Sequence, residues 1–335
     1  MFVHLYYILF MPLLTSYIEL IDYFKNEEIC LSYLEYIRWN GKPKCPFCNS
    51  EKVYRTNRGF KCAKRYCYKK FTAKVRTIYE NSKIPLRKWF LAEYALGSNP
   101  KGVNSVQLGK MIGVHQHSAW FMAHRIREAY KDDTQHTFKG VVEIDEMYVG
   151  GKNKNRHANK RVENSQGRST KDKTAVVGIL NRGGKVRTFV VEEANQETLH
   201  NLVKANVEKG STLITDAYVP YRGLNQWYTH VSVKHGEGEN KYVTDNFHHT
   251  NSIEGYWSVF KRGIIGTYHY MSRKHLHRYC KEYDYRYNER KETDGMKFED
   301  MVRRAEGKRL RYADLIRKTD PELPNEPENP LMDAA

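Results

Sequence analysis

The sequence has no apolar run long enough to cross a bilayer. Its most apolar stretch, residues 1–14 (MFVHLYYILFMPLL), falls short of the roughly 20 residues a span needs. The same stretch lacks a basic leading region and a small-residue cleavage site, so it makes a poor secretory signal; the expectation is a cytoplasmic protein with no membrane partner, and Met11 is the natural initiator if the start is over-long. No repeat of solenoid period is present, which excludes a stacked array. Cysteine is scarce. Of six, Cys45, Cys48, Cys62 and Cys67 crowd into 23 positions while Cys30 and Cys280 stand alone as apolar residues. That distribution argues against a disulfide framework and for a metal site in a reducing compartment. Acid is short too: 39 Asp and Glu against 56 Lys and Arg leave a formal charge of +17. Self-repulsion of that size calls for a polyanionic partner, nucleic acid first and an anionic membrane second.

Four regions precede a tail. Residues 15–40 read as short N-terminal helices, with Tyr17, Leu20, Ile21 and Phe24 at helical spacing. Residues 41–76 hold the sequence CPFC, then 13 residues, then CAKRYC. Two close pairs separated by a hairpin-length stretch bring four thiolates to a tetrahedron, so the expectation is a zinc ribbon with one structural Zn²⁺ on Cys45, Cys48, Cys62 and Cys67. The hairpin turns at Asn57-Arg58-Gly59. Twelve Lys and Arg against Glu51 in this stretch predict that it lies on DNA phosphate. Residues 82–131 read as helical and end in a helix-turn-helix-like pattern, SVQLGKMIGVHQHSAWFMAHRIREAY. There His115, Gln116, His117 and Ser118 open the second helix and are expected to face base edges, with Arg125 and Arg127 along it as further expected DNA contacts. An ordinary helical hairpin is the bland alternative. Residues 319–335, rich in Pro, Asn and acid, read as a disordered tail.

Residues 138–290 alternate strand and helix. VVEIDEMYVGG is a buried strand ending in a Gly pair, with Asp145 expected to leave its end into a site. TAVVGIL and KVRTFVV follow as a hairpin turning at 181–184, QETLHNLVKANV as a helix, STLITDA as a strand ending in Asp216, and HTNSIEGYWSVFKRGI as a helix carrying Glu254. A hairpin pair followed by helix-linked strands predicts an α/β fold, an RNase H-like mixed sheet with its first and fourth strands side by side. Asp145 and Asp216 then meet, with Glu254 brought in by the last helix. Three converging carboxylates suit hard divalent cations, two Mg²⁺ (or Mn²⁺) ions clamping the attacking and leaving oxygens of a phosphoryl transfer. Left to themselves, such acids raise one another's pKa values. Lys261, two turns beyond Glu254, shares its helix face and is placed to hold a DNA phosphate. Glu143 points the same way as Asp145 and Glu146 the opposite way; structural roles are expected for both.

At these residues the chain resembles a known family. VEIDEMYVGGK, LITDAYVPYRGL, HTNSIEGYWSVFKRGIIGTYHYMS and RYCKEYDYRYNER are similar to blocks of bacterial insertion-sequence transposases of the ISXO type, which carry a zinc ribbon before a DDE domain, and to eukaryotic Merlin elements. The resemblance covers about residues 15–290. It implies binding of terminal inverted repeats, metal-dependent 3′-end cleavage and strand transfer into target DNA, by a homodimer or higher oligomer on nucleoid DNA. It places the three acids on Asp145, Asp216 and Glu254, with Asn251 as an alternative third ligand because some relatives use Asn there. The basic segment 152–173 departs from a short hairpin; it reads either as a flexible loop ordered by DNA or as a solvated insertion. A nuclease of the same fold and a DNA-binding regulator that no longer cuts are the competing readings.

Overall fold

The computed structural model describes residues 14–131, 137–150, 157–163, 169–233 and 249–317. The tail at 319–335, the apolar start at 1–13 and two stretches of the basic segment (152–156 and 164–168) lie outside the described residues.

Local capping chemistry starts most of the N-terminal helices. Ser16 caps α1 (Tyr17–Tyr23) by accepting from Glu19 N–H, while the Glu19 carboxylate accepts from Ser16 N–H. Asn26 caps α2 (Glu27–Trp39), which ends at Asn40 in the left-handed region. The ribbon follows as three antiparallel strands, β1 (Val53–Thr56), β2 (Gly59–Cys62) and β3 (Lys70–Phe71). Its third strand, two residues long, is too short to show in a hydrophobic pattern. Next come α3 (Leu86–Ser98), α4 (Ser105–Ile112) and α5 (Gln116–Ala129). Gly113, at φ 63°, ends α4. Gly109 lets the next segment turn back tightly, since a Cβ there would sit 2.8 Å from Val114 O.

The second half is one five-stranded mixed sheet. It comprises β4 (Val141–Val149), β5 (Thr174–Asn181), β6 (Val186–Val191), β7 (Thr212–Asp216) and β8 (Thr229–Val233), with α6 (Gln196–Asn206) crossing between β6 and β7. The order is β6-β5-β4-β7-β8; β4, β5 and β6 pair antiparallel, whereas β4, β7 and β8 run parallel. The first and fourth strands of the domain are therefore neighbours. Even-numbered residues of β4, such as Val142 and Ile144, pack with Leu199 and Val203 of α6 on one face. Met147 and Val149 pack on the other face with α7 (Asn251–Gly263) and α8 (Leu276–Asn288). Alternation along the strand thus assigns each side chain of β4 to one layer.

The chain then returns to its beginning. Helix α9 (Asp294–Arg304) and the short α10 (Tyr312–Ile316) follow the sheet domain, and α9 docks into the N-terminal helices. Phe298 is fully buried, with ring centroids 5.8 Å from Phe24, 5.4 Å from Phe90 and 6.0 Å from Tyr33. One core therefore joins α1 to α5 with α9. A buried ion network links this core to the sheet domain. Arg127 of α5 donates to Glu282 of α8 at 2.6 Å, Arg286 pairs with the same carboxylate, and Tyr268 donates to it at 2.7 Å. Burial alone would raise the Glu282 pKa, but Arg127 and Arg286 hold it below the usual carboxylate range.

Candidate DNA-processing site

The zinc ribbon folds its two cysteine pairs into two tight turns. Asn49 N–H donates back to Cys45 O at 2.8 Å, and Cys67 N–H to Lys64 O at 3.1 Å. Trp39, Phe60 and Phe71 form an aromatic floor beneath them. The sulfurs of Cys45 and Cys67 lie 3.7 Å apart, those of Cys48 and Cys62 also 3.7 Å, and all four fall within 4.8 Å of one another. A tetrahedron with Zn–S bonds of about 2.3 Å has edges of about 3.8 Å, so this donor set fits one zinc ion. None of the four is in a disulfide. The Ser50 N–H beside Cys48 pulls that thiol down to about 7, while burial pushes Cys62 up to about 12. Four sulfurs close the shell, so the zinc here is structural.

Asp145 and Asp216 meet through strand register, Asp216 from the end of β7 but Asp145 from the middle of β4 rather than from the expected strand end, because pairing with β5 continues to Val149. Ile144 is paired with Thr215 across the parallel β4–β7 ladder, which sets the next residue of each strand, Asp145 and Asp216, side by side. Asp145 stands opposite Gly178 on β5, and a Cβ at Gly178 would lie 2.7 Å from the Trp257 ring and 3.1 Å from Ile253. Both acids therefore sit on the face that α7 covers, and Gly178 is what lets that helix come so close. The electrostatics agree with this placement. Burial, then Asp216, then Glu254 push the Asp145 pKa from 3.8 to about 6, partly opposed by the Glu146 N–H and by Lys261. The structure thus brings Asp145, Asp216, Glu254 and Lys261 into one neighbourhood. Among the described residues, the four cysteines are the one group of three or more His, Cys, Asp or Glu side chains placed to hold a metal ion together as they stand.

Glu143 fixes the helix that delivers Glu254. It is fully buried and accepts from Ser252 N–H at 3.0 Å and Ile253 N–H at 2.9 Å, satisfying the first turn of α7. Its other oxygen accepts from Arg182 at 2.8 Å, and Arg182 in turn donates to His249 O at 2.7 Å. A charged cap from a strand onto a helix sets both the position and the rotation of α7. Glu146, on the opposite face, accepts from the Tyr221 hydroxyl at 2.9 Å. Glu254 is half-buried and accepts from Thr250 at 2.8 Å, whereas Asn251, one turn earlier, is exposed. The signal for the Glu143 cap was an acid at a buried strand position, but its partners lie 39 and 109 residues away.

Around the helical hairpin, His115, Gln116 and His117 are exposed and Ser118 is half-buried. His115 caps α5 and stacks on His117 with centroids 5.2 Å apart, and Gln116 donates to Ser105 at 3.0 Å. Arg125 and Arg127 do not join this surface. Arg125 is 5% exposed and donates inward to Glu80 O at 2.7 Å, across the rings of Trp89 and Phe121. Arg127, 2% exposed, is held by Glu282 and the Tyr279 ring. Arg125 ties its helix to the turn before α3 and Arg127 ties it to α8, and both are buried, so the reading of them as DNA contacts is corrected. A groove of about 490 Å³ runs between Asn104–Lys110 on α4 and Thr267–His269, just beyond the helix that carries Lys261.

Comparison with known proteins agrees with this architecture. Residues 137–288 match the ISXO2-like transposase domain, and residues 25–70 match the transposase zinc-ribbon domain. The chain is also similar to a protein in the transposable element ISH50 of Halobacterium salinarum, 30% identical over 254 residues that span 72% of this chain and 84% of that one. Among the described residues, no helix is long and apolar enough to cross a membrane. With a zinc ribbon leading into a mixed sheet that carries paired aspartates on adjacent parallel strands, the chain belongs to the ISXO2-like transposases, a family that acts in DNA transposition.

Proposed function

We propose that this chain is a DDE transposase that binds the terminal inverted repeats of its element, cleaves their 3′ ends and joins them to target DNA. The observation that carries this reading is the meeting of Asp145 and Asp216 on adjacent parallel strands, beneath a helix that brings Glu254 and Lys261 to the same place. Asp145, Asp216 and Glu254 would hold two Mg²⁺ or Mn²⁺ ions, with Asn251 as the alternative third ligand. Such ions supply activation of a water or 3′-hydroxyl and stabilisation of the departing 3′-oxygen. Lys261 holds a phosphate of the scissile strand. Glu143 orients α7 and so sets where Glu254 points. The ribbon at 41–76 and the exposed first turn of α5 within 82–131 grip DNA, leaving 138–290 for chemistry. His115, Gln116, His117 and Ser118 face base edges. Pairing of two element ends calls for a homodimer or higher oligomer on nucleoid DNA in the cytoplasm.

The test is Asp145→Asn assayed on labelled DNA carrying the repeats that flank the coding region, with Mg²⁺. The expected result is loss of cleavage with DNA binding retained. Cleavage by the variant at the parent's rate removes Asp145 from the mechanism. Cleavage by the parent without strand-transfer products would reduce the activity to that of a nuclease.

A further inference from the structure

The two cysteine turns of the ribbon differ in length, with two residues between Cys45 and Cys48 and four between Cys62 and Cys67, and in what flanks the second cysteine. In the first turn, Phe47 precedes the second cysteine and packs against the ribbon core, and Asn49 follows it at φ 53°. Asn is a residue that tolerates the left-handed region. In the second turn the matching positions are Tyr66, at φ 72°, and Tyr68, at φ 47°. Bulky aromatics are disfavoured in that conformation, and here burial returns nothing, since Tyr66 is 89% exposed and Tyr68 57%. Their surroundings are strongly cationic. The Arg65 guanidinium lies over the Tyr66 ring at 5.1 Å, and Lys64, Lys69 and Lys70 are exposed beside them. On β1 and β2 of the same ribbon, the half-exposed Tyr54 carries Lys61 over its ring at 5.9 Å. Solvent-facing rings interleaved with cations, on a backbone braced by four metal-ligating sulfurs, have the chemistry of a platform for unpaired bases: rings stack on base faces while cations follow the phosphates. Duplex phosphate contact alone needs the lysines and arginines and gives no use to the two rings.

We propose that the Cys62–Cys67 turn of the ribbon, through Tyr66 and Tyr68, is a stacking site for unpaired nucleobases of DNA. The inference rests on DNA being the partner and is independent of the cleavage chemistry. The test uses the full chain loaded with zinc, an oligothymidine strand bearing 2-aminopurine, and a duplex of the same length. The double variant Tyr66→Ala with Tyr68→Ala should lose at least about tenfold in single-strand affinity and lose the 2-aminopurine quench, with duplex affinity unchanged within about twofold. Tyr66→Phe with Tyr68→Phe keeps both rings and should bind the single strand like the parent. Zinc content is measured alongside. In the unaltered protein, a strand carrying 5-iodouracil should photo-crosslink to Tyr66 or Tyr68, a readout that does not depend on any variant folding. Equal losses on single strand and duplex, an unaffected alanine variant, or crosslinks confined to other regions would each overturn the proposal. Failure of the parent to bind duplex at all would instead remove the DNA partner on which it rests.

Discussion

Replacing Asp145 with Asn should make the protein more stable while abolishing cleavage. The Asp145 carboxyl is pushed from 3.8 to about 6 by burial and by Asp216 and Glu254. A rise of that size corresponds to roughly 3 kcal/mol of unfavourable free energy once the group ionises, an upper figure because the side chain is only partly buried. The sign follows from proton counting. Between pH 3.8 and 6 the folded chain keeps a proton that the unfolded chain has lost, so this group's contribution is complete below pH 3.8 and declines as pH rises through 6. Asn keeps the shape and the acceptor for the Glu146 N–H but cannot ionise. In protein dialysed free of magnesium, Asp145→Asn should therefore melt higher than the parent at pH 7.5, by up to several degrees, and the difference should shrink towards pH 4. Added Mg²⁺ should stabilise the parent and leave the variant nearly unchanged, because only the parent offers the ionised carboxylate. A variant that melts below the parent at pH 7.5, or a difference that does not change with pH, would refute the claim that these acids crowd one another in the folded chain.

Four further outcomes follow from the same geometry. Cys45→Ser should release zinc, loosen the Trp39, Phe60 and Phe71 cluster and weaken DNA binding while the sheet domain keeps its far-ultraviolet signature; metal analysis and limited proteolysis read this directly. Glu143→Gln removes the charge shared by Arg182 and the first turn of α7, so it should cost on the order of 3 kcal/mol and weaken Mg²⁺-dependent cleavage about tenfold, a loss that higher Mg²⁺ partly restores. Arg127→Met breaks the buried pair with Glu282 and should lower stability by about 3 kcal/mol, yet leave the slope of DNA affinity against salt unaltered; a shallower slope would return Arg127 to the phosphate contacts. Glu93 is fully buried, bonded through one oxygen to Tyr79, and raised by burial to about 8. Its contribution is present below pH 4.5 and lost as pH rises through 8, so Glu93→Gln should stabilise the helical core most clearly above pH 8, by roughly 3 kcal/mol or more, as read by denaturant titration at pH 6 and 9.

What could be read from the sequence and what could not divide along one physical line. The strand carrying Asp145, the strand ending in Asp216 and the helix carrying Glu254 announce themselves because burial imposes a period of two on strands and 3.6 on helices. The zinc ligands are legible for a similar reason, since short spacing forces the sulfurs of each pair together. Arg125 and Arg127 were misread because charge on a helix says nothing of its partner. The carboxylate that buries Arg127 is 155 residues away, and the carbonyl that binds Arg125 belongs to a turn before α3. Glu143 follows the same logic, with a face predictable from alternation and a use set by residues 39 and 109 positions distant. Helix α9 shows Phe298, Met301 and Val302 at amphipathic spacing, but nothing local says that they complete the core begun by Phe24 and Tyr33.

That closing contact has a consequence for how the acidic cluster is held. Helices α8 and α9 are consecutive; one packs on the sheet through Tyr279 and Tyr283, and the other packs among the N-terminal helices through Phe298. Glu282, on the sheet-packing helix, receives Arg127 from the helix whose first turn carries His115 and His117. The exposed end of α5 is therefore tied to the sheet domain by a buried charge pair and by chain continuity through α9, rather than by a loose linker. A rigid tie of this kind suits the function proposed above, in which a recognised sequence is held at a fixed distance from the phosphate to be cut, because misplacement of about 1 Å is enough to cost about a hundredfold in rate. On this argument Arg127→Met should blur the position of cleavage along the DNA as well as lower stability. Cleavage mapped to single-nucleotide resolution at a temperature where the variant remains folded decides it: a cut site as sharp as the parent's would mean that the ion pair stabilises the fold without setting the distance.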